Sequence, residues 1–433
     1  MNTRIIIIKS AVVLGTVLSG LSLESCRKEA RPGDYVPKTG DEVVFSAADG
    51  GSAIGTKAAY AGRTDTGNTQ ETINWEQGDL YRIWCAECSE PTTDSYGKAD
   101  HWADYEAQGR NTGNTGVTIA TLDGTVGLRW GNINTTHHFY GIYPSPKMNT
   151  GEVKTTLTEA VLTGTIRQNQ AIQGDLVTTT LESGKTLTTA RPDMTDMYMA
   201  GKRDINPSTD LTNNNVLISY TPLTTAIEFT ITKDTDLTED VQWVAIESKS
   251  HNLFGVFKTN LAEEWSKPDG TYSNDYPTCT YLDSQSGGSA GGKLLKIDFT
   301  DNTVQISKDK ALRFTFLLLP VSEAENVVDD LTFLISKRKT GTGSYSVLKT
   351  ELKRTDKATE EKNKVPFPTH KKSYITGLLV PDGAQWVITF EPTVNPWNTI
   401  EGGSADGEPV DPLQITEPFV TKWETVDFDP EFN

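Results

Sequence analysis

The run Gly287-Gly288-Ser289-Ala290-Gly291 has the spacing of a serine-hydrolase elbow, in which a sharp strand-to-helix turn lifts a nucleophilic hydroxyl into a cleft. That chemistry needs a core strand before the serine and a helix after it. Here Asp283-Ser284-Gln285-Ser286 precedes Ser289 and the strand-like run 294–299 follows, so the segment reads as a surface loop. Gly287 to Lys293 also approaches a phosphate-binding loop, but Leu294 stands where a magnesium-binding Ser or Thr is required. His137 and His138 are sequence neighbours, and neighbours on a strand face opposite sides, so the two cannot chelate one ion. Asp234-Thr235-Asp236 with Glu239 and Asp240 has the charge of a calcium loop, yet Glu239 occupies the place where that loop turns on Gly. Cys85-Ala86-Glu87-Cys88 is half of a zinc knuckle without a second pair. It ends an aromatic strand-like run rather than opening a helix, which sets it apart from a redox motif. No pair among the 58 acidic residues can be singled out for glycoside hydrolysis. The expectation is no catalytic residue, no metal and no cofactor.

The elements that would have to position such groups are strands. The chain has 433 residues, 58 acidic against 40 basic, for a formal charge of -18, which excludes a general binder of nucleic-acid backbones. Hydrophobic residues make up 36%, enough for packed cores, and 36 Gly and 20 Pro punctuate many short elements. Period-two alternation is plain in Ile227, Phe229 and Ile231, in Phe314, Phe316 and Leu318, and in Trp386, Ile388 and Phe390. Further strands are expected over 43–47, 80–85, 117–122, 139–143, 216–220, 242–247, 253–258, 295–299, 331–336 and 345–352. One weak helix is expected over 322–331, with Ser322 as N-cap and Glu325 three places on. The polar stretches 89–100, 109–116, 275–292 and 353–369 read as loops. Many strands without βα alternation predict an all-β protein of antiparallel sandwiches.

The first residues carry an address. Met1 to Ser10 holds Arg4 and Lys9 and no acid, and Ala11 to Leu23 is small or apolar throughout, which is a secretory signal too short to span a bilayer. It ends in Leu23-Glu24-Ser25-Cys26, which resembles the lipobox of bacterial lipoproteins, with Glu24 departing from the usual small residue. The resemblance implies cleavage after residue 25 and lipidation of Cys26, whose acyl chains hold the protein to a membrane at roughly 0.8 kcal/mol per buried methylene.

Ile73-Asn74-Trp75-Glu76-Gln77-Gly78-Asp79, followed by an aromatic strand, resembles the W-x-x-G-D signature of the fimbrillin-like lipoproteins of Bacteroides-type bacteria, the subunits of type V pili. Other landmarks follow in the family's order: Phe139-Tyr140-Gly141-Ile142-Tyr143-Pro144, then Asp196-Met197-Tyr198-Met199-Ala200, then Leu317-Leu318-Leu319-Pro320, then Ser373-Tyr374-Ile375 and Trp397. The resemblance spans about residues 26 to 400 and implies two transthyretin-like Greek-key β-sandwich domains in tandem. The expected division is 1–25 signal peptide, 26–40 linker, 41–212 and 213–400 sandwiches, and 401–433 a linker with a donor-strand tail.

It further implies an outer-membrane, surface-anchored protein that enters a fimbrium. A protease cuts after a basic residue beyond the first strand, and a strand from another subunit fills the vacated groove, a case of β-augmentation. In this chain the first strand falls at 43–47, and Lys57 lies where the family often has Arg, with Arg63 as the fallback cleavage site. The tail, alone or with residues 386–394, is the expected donor. The implied partners are other pilus subunits, the outer membrane through the lipid on Cys26, and surface glycans or proteins. The rival reading is a surface lipoprotein that binds polysaccharide on exposed aromatics without polymerising. Against it, Trp75, Trp243, Trp386 and Trp397 fall in or beside strand-like runs and are expected in cores.

Overall fold

The computed structural model describes residues 37–389, 419–421 and 424–426. Excepted are 50–58, 61–72, 76, 89–100, 110–116, 123–125, 150–154, 182, 212, 250, 264–278, 282–290, 300–303, 320–326, 330, 339–344, 353–363, 367–371 and 381–382. The protein is all-β, as expected. Among the described residues the longest helix is the single turn Pro207–Asp210.

The first unit is a seven-stranded sheet that closes on itself. In order around the barrel run Phe45–Asp49, Val216–Pro222, Met199–Ile205, His137–Tyr143, Leu80–Trp84, Trp102–Ala107 and Val117–Thr121, the last of which pairs back onto the first. Alternation sends Phe45, Ala47, Tyr81, Ile83, Tyr105 and Phe139 inward, where all are fully buried. Trp75 is the hub of one end, edge-on to Tyr81, Tyr143 and Tyr220 at ring-centroid distances of 4.9, 5.2 and 5.5 Å. Gly78, at φ +95°, makes the turn after it, a conformation that glycine adopts without a Cβ penalty. Asp79 then sits buried and accepts a hydrogen bond from the Tyr143 hydroxyl at 3.4 Å. Trp, Gly, Asp and the later Tyr are thus one packed constellation.

The barrel's outer wall is partly covered by a four-stranded sheet of Thr155–Thr158, Val161–Ile166, Gly255–Asn260 and Cys279–Tyr281. Tyr140, Ile142 and Ala200 pack there against Leu157, Leu162 and Phe257. The Tyr198 hydroxyl donates to the carbonyl of Thr165 and accepts from its N–H, at 3.0 and 3.1 Å, and burial pushes its pKa up to about 12. Beside it, Arg167 grips Asp196 and Asp193 at 2.6 and 2.9 Å. Burial raises the Asp196 carboxyl to about 6 against the pull of Arg167.

The second unit is a sandwich of two seven-stranded sheets. The first runs Asn169–Gln170, Leu294–Asp298, Glu239–Glu247, Thr332–Arg338, Tyr345–Glu351 and Glu424–Val426, with Val304–Ile306 paired beside Glu239–Glu247. The other runs Val177–Thr180, Thr186–Ala190, Lys310–Leu318, Thr225–Lys233, Lys372–Val380, Gly383–Thr389 and Phe419–Thr421. Phe229 and Phe314 of one sheet stack with Phe333 of the other, at 4.9 and 6.0 Å, and mark the centre of the core.

Strand pairing crosses the expected boundary at residue 212 in both directions. Val216–Pro222 completes the barrel, while Asn169–Gln170 and Thr186–Ala190 pair with Leu294–Asp298 and Lys310–Leu318. The helix expected over 322–331 is corrected: Val327–Asp329 is a strand paired with Lys364–Pro366, consistent with the β-branched Val327 and Val328, and 320–326 lie outside the described residues. Two expected loops also carry short strands, Cys279–Tyr281 and Lys364–Pro366.

Candidate functional site: the first strand in its slot

Phe45–Asp49 is held on both sides. It pairs parallel with Val216–Pro222, Phe45 opposite Val216 and Ala47 opposite Ile218. On the other side it pairs antiparallel with Val117–Thr121, Phe45 opposite Ile119 and Ala47 opposite Val117. The sequence expectation of 43–47 is two residues early, because Val43 and Val44 enter through bonds outside the regular ladder. Val43 N–H donates to the carbonyl of Leu128 at 2.9 Å, and Val216 N–H donates to the carbonyl of Val44 at 2.8 Å.

Inside the barrel, the Phe45 ring meets Tyr105 and Phe139 edge-on at 5.0 and 5.2 Å. Val43, Phe45 and Ala47 are all buried, and burying a Val or Phe side chain contributes about 1.5–3 kcal/mol. Outside, the Ser46 hydroxyl donates to Asn215 Oδ1 at 3.0 Å, and Asn214 Nδ2 donates to the carbonyl of Glu42 at 2.9 Å. Tyr105 supports the slot from beneath: its hydroxyl accepts from Leu128 N–H at 2.9 Å, and burial holds its pKa well above the usual tyrosine range.

Without this strand, Val216–Pro222 and Val117–Thr121 would each present an unpaired backbone edge above an opened aromatic core. Such an arrangement can accept another strand. The two asparagines and Tyr105 are the residues that sequence reading missed. The run Asn213-Asn214-Asn215 is their trace in the sequence, since a row of side-chain amides before a strand can hold a neighbouring backbone.

Cys26, Lys57 and Arg63 lie outside the described residues. So do Ser289 and Trp397. Ala59–Tyr60, two residues past Lys57, is a short strand paired with Ile73–Asn74. His137 is buried and accepts at Nε2 from Gly131 N–H at 3.1 Å, and burial lowers its pKa; His138 faces outward to Asp204 at 2.8 Å. The two imidazoles therefore point apart, as the alternation requires. Among the described residues no three His, Cys, Asp or Glu side chains are grouped to hold a metal ion. No described helix is long and apolar enough to cross a membrane.

Trp75 and Trp243 are buried, as expected for core residues; the side chains of Trp386 and Trp397 lie outside the description. Trp84 and Trp102 are half-buried. Trp84 packs on Tyr140 at 5.8 Å, and Trp102 lies under the Arg82 guanidinium at 3.5 Å. Arg82 in turn is paired with buried Asp104 at 2.7 Å.

The two described pieces of the tail are strands paired within this chain. Phe419–Thr421 borders Gly383–Thr389, and Glu424–Val426 borders Tyr345–Glu351. Gly383–Thr389 is itself flanked by Lys372–Val380 and Phe419–Thr421, so this part of the expected donor is an integral strand of the second sandwich.

No family model matches the chain, and neither does any curated protein. Among solved structures it is similar to a candidate cell adhesion protein from Bacteroides ovatus, at 10% identity over 82% of this chain and 97% of that one, with a TM-score of 0.43. It is similar also to a fimbrial assembly protein from Parabacteroides distasonis, at 12% identity over 80% and 94%, TM-score 0.34. A third is a fimbrial protein from Bacteroides vulgatus, at 14% identity over 78% and 95%, TM-score 0.30.

Proposed function

We propose that the protein is a structural and adhesive subunit of a surface fibre, of the fimbrillin-like kind, exported as a lipoprotein held to the outer membrane through Cys26. Like subunits join by strand exchange. The observation that carries this reading is the placement of Phe45–Asp49, hydrogen-bonded on both edges and anchored by Phe45 in the barrel core. It is the first strand of the barrel in chain order, and Lys57 and Arg63 follow it before the next barrel strand. A cut after either residue severs the first strand from the rest of the barrel without breaking any other barrel strand. The opened slot then binds a strand from another subunit through the same two backbone edges and the same aromatic pocket.

The tail 401–433 is the segment assigned to donation. Its short pairings at the sandwich borders must be released for it to reach a neighbour, and entry into a slot bonded on two sides gives more ladder than it loses.

The test is the N-terminal sequence and intact mass of the protein from surface-sheared and membrane fractions of the native cell. A sheared species beginning at Ala58 or Thr64 supports removal of lipid and first strand before assembly. Triacylated Cys26 as the only species, confined to membranes and never in fibres, overturns the polymerising role.

A further inference from the structure

Cys85 and Cys88 close the strand Leu80–Trp84 with a tight turn whose placement the fibre reading does not use. Cys88 N–H donates to the carbonyl of Cys85 at 3.4 Å, across Ala86 and Glu87. The turn is pinned on both sides: Cys85 N–H donates to the carbonyl of His101 at 2.8 Å, and His101 Nδ1 lies 3.2 Å from the carbonyl of Cys88. Ala86 at the turn's crest is exposed, while both cysteines are buried in the barrel core. Both side chains are therefore directed into the same core from the two ends of one turn. A four-residue turn brings its end Cα atoms closer than about 7 Å, and a disulfide spans about 4.4–6.8 Å, so the backbone already has the separation the bond needs. In this structure both are free thiols.

We infer that Cys85 and Cys88 are a modification site: they join as an intramolecular disulfide while the chain folds, and the closed barrel then seals whichever state was set. The oxidant is a disulfide of the glutathione or thiol–disulfide oxidoreductase class. One cysteine, having lost its proton, attacks a sulfur of the donor and releases one donor thiolate. The other cysteine's thiolate attacks the protein sulfur of this mixed disulfide and expels the second donor thiolate. Two electrons pass from the protein to the donor, whose two thiolates take up the two protons.

Sealing follows from the same burial that aligns the pair. Only a thiolate attacks, and in the folded barrel burial, then Cys88 and Glu87, push the Cys85 thiol far up from its ordinary range. Glu87 adds a geometric brake. Its Oε2 accepts from Cys85 Sγ at 3.3 Å and from His138 N–H at 3.0 Å, so the thiol proton is held by a fixed carboxylate. This inference stands apart from anchoring and assembly, and its test uses purified protein.

The full chain is reduced in denaturant and divided. One half is refolded in oxidised and reduced glutathione; the other is refolded fully reduced and then moved to the same mixture. Both are quenched in acid, denatured, labelled with N-ethylmaleimide and digested with trypsin. Cleavage after Arg82 and Lys98 yields one peptide holding both cysteines and no others. The refolded half is expected to give that peptide two hydrogens lighter than the dithiol and unlabelled, while the prefolded half keeps two labels for at least roughly tenfold longer. Two labels in the refolded half, a persistent glutathione adduct, or linkage to Cys279 or Cys26 overturns the site. Equal oxidation of the two halves overturns the sealing.

Discussion

The barrel and the sandwich solve the problem of sheet edges in opposite ways. The barrel has no free edge, because Phe45–Asp49 fits between two strands and closes the circle. The sandwich keeps its edges and covers them with short pieces drawn from far along the chain. Asn169–Gln170 and the hairpin Val177–Thr180 with Thr186–Ala190 lie at one border, Phe419–Thr421 and Glu424–Val426 at the other. Closure makes one strand indispensable to a whole unit, whereas capping spreads the task over segments that each contribute little. The barrel is thus the region where removal of a single element has the greatest effect.

The contrast can be tested by substitution. Phe45→Ala empties the ring position between Tyr105 and Phe139 and is expected to cost about 3–5 kcal/mol in urea unfolding, with hydrogen exchange rising first in Val117–Thr121 and Val216–Pro222. A variant that loses less than about 1 kcal/mol would mean the first strand does not organise the barrel core. Deleting residues 400–433 removes the two tail caps and is expected to cost only about 1 kcal/mol, read as faster exchange along Tyr345–Glu351 and Gly383–Thr389 with the barrel unchanged. Barrel exchange rising in step would break the distinction between the two regions. Ser46→Ala removes the hydroxyl that reaches Asn215 and is expected to cost about 0.5–1.5 kcal/mol, seen as a small drop in the urea midpoint with an unchanged slope.

Much of this architecture was legible in the residues, for a physical reason that also marks where legibility ended. Apolar and polar residues alternate in the runs around Phe229 and Phe316, which makes them legible as strands, although the structure buries both of their faces and not one. Capping strands have no such face. Val177–Thr180 is exposed along its whole length, and Asn169–Gln170 is too short to show a period, so neither is among the expected strands. The same holds for Cys279–Tyr281 and Lys364–Pro366 inside stretches that read as polar excursions. At the candidate site, the first strand was visible from Val43, Phe45 and Ala47. Its neighbour Val216–Pro222 was visible as a strand but was assigned to the other unit, because parallel pairing over such a span leaves no local mark.

That long-range pairing has a consequence in time. The chain is made from its N-terminus, and Phe45 meets one of its two flanking strands only after residue 216 has been synthesised. Until then the barrel remains an open sheet with an aromatic interior. Ala190 waits in the same way for Phe314. Folding dominated by contacts of such wide sequence separation is slow, on the order of milliseconds to seconds even in small β proteins. During that interval Phe45–Asp49 has a partner along one edge only, Val117–Thr121, and the barrel closes when Val216–Pro222 arrives at the other.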